Sequence, residues 1–237
     1  MRKAHEAPAL LTPDDLRPAR AVAGDAALDY VLVLCAFHFV NRIADLLAVP
    51  AEALPPALRR IEPLRRFGVR VASLLLGRMN LANRPYGTAF EDVRRRVESA
   101  CGRPVGDALE PLRARPALVE SVALALEERV GVTSLDAATL ARVDQTVEAA
   151  LPRSADDVAG FHARPADPVE AFAFVGTRYA QRATDAMVDA LRGAGFDDLG
   201  ILDLAIAVAD ANQWARMRRL LGLPADLLAP GPPVRVG

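Results

Sequence analysis

The chain has only two cysteines and three histidines in 237 residues, and neither type clusters. Cys35 lies inside an apolar run and Cys101 beside Gly102, a spacing that excludes a disulfide framework and points to a reducing compartment. His5, His38 and His162 are scattered, and no residue set has zinc-site spacing; no metal and no cofactor is expected. Charge of one sign is also lacking. With 29 basic and 30 acidic side chains the formal net charge is -1, which gives no overall field toward nucleic acid or an anionic membrane. A phosphate-cradling glycine loop, a GxGxxG turn in a βαβ unit and a G-x-S-x-G nucleophile elbow are all missing. Long apolar runs are missing too: residues 30–40 are the most apolar, and Asn41, Arg42 and Asp45 interrupt them well short of the ~20 residues a membrane span requires. The opening MRKAHEAPALLTPDDLRPAR has basic residues without an apolar core, unlike a signal peptide. A cytoplasmic protein with no membrane and no nucleic-acid partner is the expectation.

What is present is helix. Hydrophobic residues make up 52% and charged residues 25%, ordinary for a globular chain, and the length suffices for a substantial core in a single domain over 1–237. Thr12-Pro13-Asp14-Asp15 is a helix start leading to about Ala23. The main core helix follows over about 26–48, where Leu28, Val31, Leu32, Cys35, Phe39, Ile43, Leu46 and Leu47 recur at three- and four-residue steps. Helical pattern resumes over 57–79, NLANRPYG at 80–87 reads as a loop, and further helices are predicted over 88–100, 107–114 and 116–130. Thr133 or Ser134 is expected to cap a helix ending near Leu151, with Thr133 and Asp136 resembling a capping box. Residues 152–168 read as a linker. Two long helices over about 169–193 and 197–221 then complete an all-α fold, separated by Gly193-Ala194-Gly195.

Two of these helices read as copies of one another. LDYVLVLCAFHFVNRIADLLAVPAE (28–52) aligns at a constant offset with LDLAIAVADANQWARMRRLLGLPAD (202–226). Both open on Leu-Asp, carry an arginine at the same place (Arg42, Arg216), continue to Leu-Leu and close on Pro-Ala-acid. A duplication would make a pseudo-equivalent pair of core helices, about 26–48 and 197–221, with His38 and Asn212 at equivalent positions.

The motif CAFHFVNRIADLL (35–47), echoed by GILDLAIAVADANQWARMRRLLGL (200–223), resembles the alkylhydroperoxidase D / carboxymuconolactone decarboxylase-like superfamily, and within it the peroxidase-related members lacking the Cys-x-x-Cys pair. The resemblance implies an alkylhydroperoxidase D-like helical bundle and a homo-oligomer (dimer, trimer or hexamer). It also locates what is lost. Where the peroxidase branch has its first cysteine, second cysteine and histidine, this chain has Cys35, His38 and Arg42, and the relay glutamate falls on Ala23 or Gly24. Dithiol peroxidase turnover is therefore not expected, although a lone thiol still forms a sulfenic acid.

His38, Asn41, Arg42 and Asp45 share one helix face by their spacing. Either they form a pocket in which His38 exchanges protons and Arg42 binds an oxyanion, or they are a charged stripe, with Asp45 pairing Arg42, that locks the helix to a neighbour. Cys35, one turn before His38, is either a thiol activated by the imidazole or a small hydrophobe. Asn212 and Trp214 are candidate ligand-lining residues, with Trp214 equally suited to an interface, and Tyr86 in the 80–87 loop is a candidate cover. The arginines at 59–60, 65–66, 94–96 and 216–219 read as solvated faces or interfaces. Two functions follow as expectations: a carboxymuconolactone decarboxylase-like protein acting on a small anionic molecule, or a catalytically inactive structural or ligand-binding oligomer of that family.

Overall fold

In the computed structural model the described residues are 2–47, 89–116, 118–120, 122–123, 133–151, 164–224 and 227. The predicted helices over 57–79, the loop carrying Tyr86 and most of the 152–168 linker lie outside them. Among the described residues every regular element is helical. They are α1 (Arg2–Glu6), α2 (Arg17–Ala23), α3 (Ala27–Leu46), α4 (Phe90–Cys101), α5 (Ala137–Ala150), α6 (Pro168–Arg178), α7 (Asp185–Gly193) and α8 (Asp198–Leu221), with 3-10 turns between several of them.

Local chemistry explains most of the boundaries. The Thr12 capping box forms, the Thr12 amide donating to Asp15 Oδ2 at 2.8 Å, although the turn it opens is 3-10 (Pro13–Leu16) before α2 begins. Phe90, Val93, Val97 and Cys101 form the buried stripe of α4, which ends at Gly102 in the left-handed conformation (φ 66) that glycine adopts without Cβ strain. Asp197 caps α8 by accepting from the Gly200 amide at 2.7 Å, and Gly222 (φ 70) closes it. Two expectations need correction. Asp136 caps α5, accepting from the Thr139 amide at 2.6 Å; Thr133 Oγ1 instead accepts from the Leu135 amide, and Ser134 donates to Asp203. The predicted continuous helix over 169–193 is two helices. Tyr179 leaves helical geometry (φ -143, ψ 43), and Thr184 begins α7 with Asp185 in its first turn, a start that apolar periodicity alone conceals.

The core has two apolar clusters. One joins Leu28, Val31 and Cys35 of α3 to α4, the 105–123 region and Trp214, Met217, Leu220 and Leu221 of α8. The other joins Leu46 of α3 to α5, α6, Leu191 of α7 and Ile201, Leu204, Ala205 and Val208 of α8. The early turns of α3 share a cluster with the late turns of α8, and the reverse holds for the other cluster, so the two helices run antiparallel. They form the most extensive helix pair among the described elements. Gly176 of α6 allows the closest approach: a Cβ there would stand 2.8 Å from Val208 Cγ1 and 3.1 Å from Leu46 Cδ2.

The outer face of α3 is not covered in this way. Tyr30, Val33, Phe37 and Val40 are all more than half exposed. By length and composition alone the stretch Pro13–Leu46 could cross a membrane, and 22% of its most apolar window is buried.

Candidate functional site

Where one cluster gives way to the other, α3 and α8 bring polar side chains into the interior. Arg216 is 1% exposed and Asn212 is fully buried. Arg216 Nε donates to the carbonyl of Ala4 in α1 at 3.0 Å, and Nη1 donates to the Asn212 carbonyl at 2.9 Å and to Asn212 Oδ1 at 3.1 Å. Asn212 Nδ2 in turn donates to Thr177 Oγ1 (3.0 Å) and to the Val208 carbonyl (2.9 Å). Thr177 Oγ1 donates back to Ala173 O at 2.7 Å. One network thus ties α8 to α1 and to the end of α6.

Arg42 reaches the same helix end from α3. Its Nη1 donates to the Gly176 carbonyl, and to the Thr177 carbonyl at 3.0 Å. These are last-turn carbonyls that have no amide partner inside a helix, so Arg42 is the reason α6 can stop at Arg178 in the interior. The expected pairing of Arg42 with Asp45 does not form among the described residues. Asp45 is exposed and acts on Arg42 only through its charge.

Electrostatically the seam is positive. Burial lowers Arg42 to about 9, with the charge of Arg216 adding to the effect and Asp45 opposing it. Burial likewise lowers Arg216 to about 10, opposed by Cys35 and reinforced by Arg219. Both guanidiniums stay charged at neutral pH. Neither makes an ion pair with a carboxylate among the described residues, and the buried Arg42 Nε has no hydrogen-bond partner there. His38 is pushed down to about 4, first by burial and then by Arg216, Arg42 and His5, so its imidazole is neutral near pH 7 and is a poor general acid. Cys35 is completely buried, and burial pushes its thiol up to about 12 against the pull of Arg216. A thiolate nucleophile needs the opposite environment.

The nominated residues therefore disperse. His38 and Arg42 face the seam, whereas Asn41 and Asp45 are exposed, so the four-residue stripe does not line one pocket. Asn212 joins the network, but the ring stacked on His38 is that of His5, 6.0 Å away with an interplanar angle of 18°; the two histidines are neighbours, not scattered. Trp214 is a core residue, 3% exposed in the first cluster, with its indole N–H unpartnered among the described residues. Of the two readings of residues 216–219, a solvated face or an interface, Arg216 fits the interface. The signal that could have found it was its alignment with Arg42. Ala4, Gly176 and Thr177 enter through backbone atoms or small side chains, which carry no motif. A separate groove of about 420 Å³ lies between Leu46 and Leu47 at the end of α3, α7 and the start of α8, with Thr184, Asp185, Arg192 and Asp198 on its walls. Among the described residues no three metal-ligating side chains converge. No protein-family model, curated protein or solved structure matches the chain.

Proposed function

We propose that the chain is a carboxymuconolactone decarboxylase-like protein without the peroxidatic pair, and that its α3–α8 seam holds a small anionic molecule. The observation that carries this reading is a pair of guanidiniums in the seam, the buried Arg216 and the half-buried Arg42 with its Nε atom buried, with no carboxylate partner among the described residues. Buried arginines are ordinarily paired, and a carboxylate or other oxyanion is the partner whose geometry matches a guanidinium fork. Thiol chemistry is not part of the proposal, because Cys35 is sealed and its thiolate disfavoured. The same reading takes α3 and α8 as the two copies of a duplicated helix within an alkylhydroperoxidase D-like bundle. Their antiparallel pairing supports this, as does the equivalence of Arg42 and Arg216, each turned into the seam and each donating to backbone carbonyls.

Thermal unfolding in acetate, benzoate or phosphate, against chloride at equal ionic strength, tests the anion reading. A ligand that binds only the folded state raises its midpoint by mass action. The expected result is an anion-specific rise in the wild type that is absent in Arg216→Met; equal midpoints in all four salts would defeat the proposal. The rival is a catalytically inactive structural oligomer of the same family. One observation favours it: among the described residues, the hydrogen bonds that Arg42 and Arg216 make all end on carbonyls of the chain or on Asn212.

A further inference from the structure

Among the described residues, the one hydrogen bond that Arg216 makes outside its own helix goes to α1, and its geometry is unusual. A guanidinium offers a carboxylate two parallel N–H donors along one edge. On Arg216 the Nε of such an edge is taken by a single backbone carbonyl, that of Ala4 at 3.0 Å, while Nη2 makes no hydrogen bond among the described residues. Arg42 Nε, also buried, has no partner either. Ala4 itself is 1% exposed, and the next residue, His5, lays its ring over His38. α1 is also short. It has five residues, and its lysine is tethered at the surface by the ion pair of Lys3 Nζ with Asp15 at 2.8 Å. An isolated helix of this length has no stability of its own.

We propose that α1 is a displaceable plug, in which the Ala4 carbonyl stands where one oxygen of a small carboxylate ligand binds on Arg216, and that binding releases α1. The inference rests on the anion-binding reading of the same seam. Displacing α1 frees Nε beside the unused Nη2, so that one neutral carbonyl acceptor is exchanged for two charge-assisted bonds. It also uncovers His38, which lies under His5 and next to both guanidiniums. No covalent step is involved. The ligand competes with a segment of the same chain, so its apparent affinity is reduced by the fraction of molecules whose plug is closed.

Acetate is the probe, titrated against chloride at constant ionic strength, with the wild type and a Lys3→Ala/His5→Ala variant compared. Both substitutions lie in α1, at side chains the cluster does not use for anion contact, and circular dichroism verifies that the variant is folded. Hydrogen exchange of the amides of residues 3–11 is followed in the same titration. The expected result is about tenfold tighter acetate binding by the variant, together with faster exchange of these amides in the wild type as acetate is added. Arg216→Met should abolish both effects. Equal, Arg216-dependent affinity in the two proteins, with no change in exchange, would overturn the plug and leave the anion site standing. Absence of acetate binding from both proteins would overturn the anion site and the plug together.

Discussion

His38 illustrates how far a residue's chemistry depends on its neighbours. Its spacing from Cys35 and Arg42 suggests an acid–base group, yet burial and the surrounding positive charges, Arg216, Arg42 and His5, favour its neutral form. Its folded-state value of about 4 lies below the ordinary 6.5, so across that window the unfolded chain binds the extra proton. Stability contributed by keeping His38 neutral is complete above 6.5 and is lost as pH falls toward 4. Urea midpoints measured across this range should fall on acidification, and His38→Leu should flatten the fall; an unchanged slope would show that other groups carry it. Gly176 is a second case. Its importance is invisible in a run such as AFAFVGTR, because it lies in another helix's side chains rather than in its own backbone. Gly176→Ala places a methyl 2.8 Å from Val208 Cγ1 and should cost about 1–3 kcal/mol by overpacking, read from chemical unfolding.

At the scale of elements, periodicity locates helices well and breaks in them poorly. The predicted ranges 26–48, 88–100 and 197–221 agree closely with α3, α4 and α8, since each has a stripe of apolar residues and, for α4 and α8, a glycine stop. The interruption between α6 and α7 escapes the same reasoning because Val175, Tyr179 and Ala180 keep the apolar pattern running through it. What permits the break is a side chain from α3, more than a hundred residues away in sequence. Arg42→Met should therefore act on α6: the Gly176 and Thr177 carbonyls lose their donor, at a cost of about 1–3 kcal/mol for each buried unsatisfied group. Hydrogen exchange of residues 177–184 should rise more than that of α4. Arg42→Lys should restore only part of the loss, since an ammonium lacks the planar fork that spans two carbonyls.

At the scale of the whole molecule, the apolar clusters share α3 and α8, and this pair is the spine. The outward face of α3 then becomes the main question of assembly. Tyr30, Val33, Phe37 and Val40 form an exposed apolar row over about three turns, a surface that monomeric soluble proteins seldom leave open. The homo-oligomer implied by the family resemblance would cover it. Light scattering coupled to size exclusion should give a mass above that of one 25.3 kDa chain, and Phe37→Glu should lower it; a wild-type monomer would remove this row from consideration as an interface.

The sequence by itself determined the all-α class, most helix limits and caps, and the nomination of the α3 segment as the place to look. Those properties follow from short-range periodicity and capping, which a chain carries wherever it is read. Tertiary structure alone decided which polar groups meet. Arg216 pairs with Ala4 and Asn212, His38 with His5, and Arg42 with the end of α6. Three of these contacts join residues far apart along the chain, and two use backbone carbonyls, which every residue possesses and no motif records.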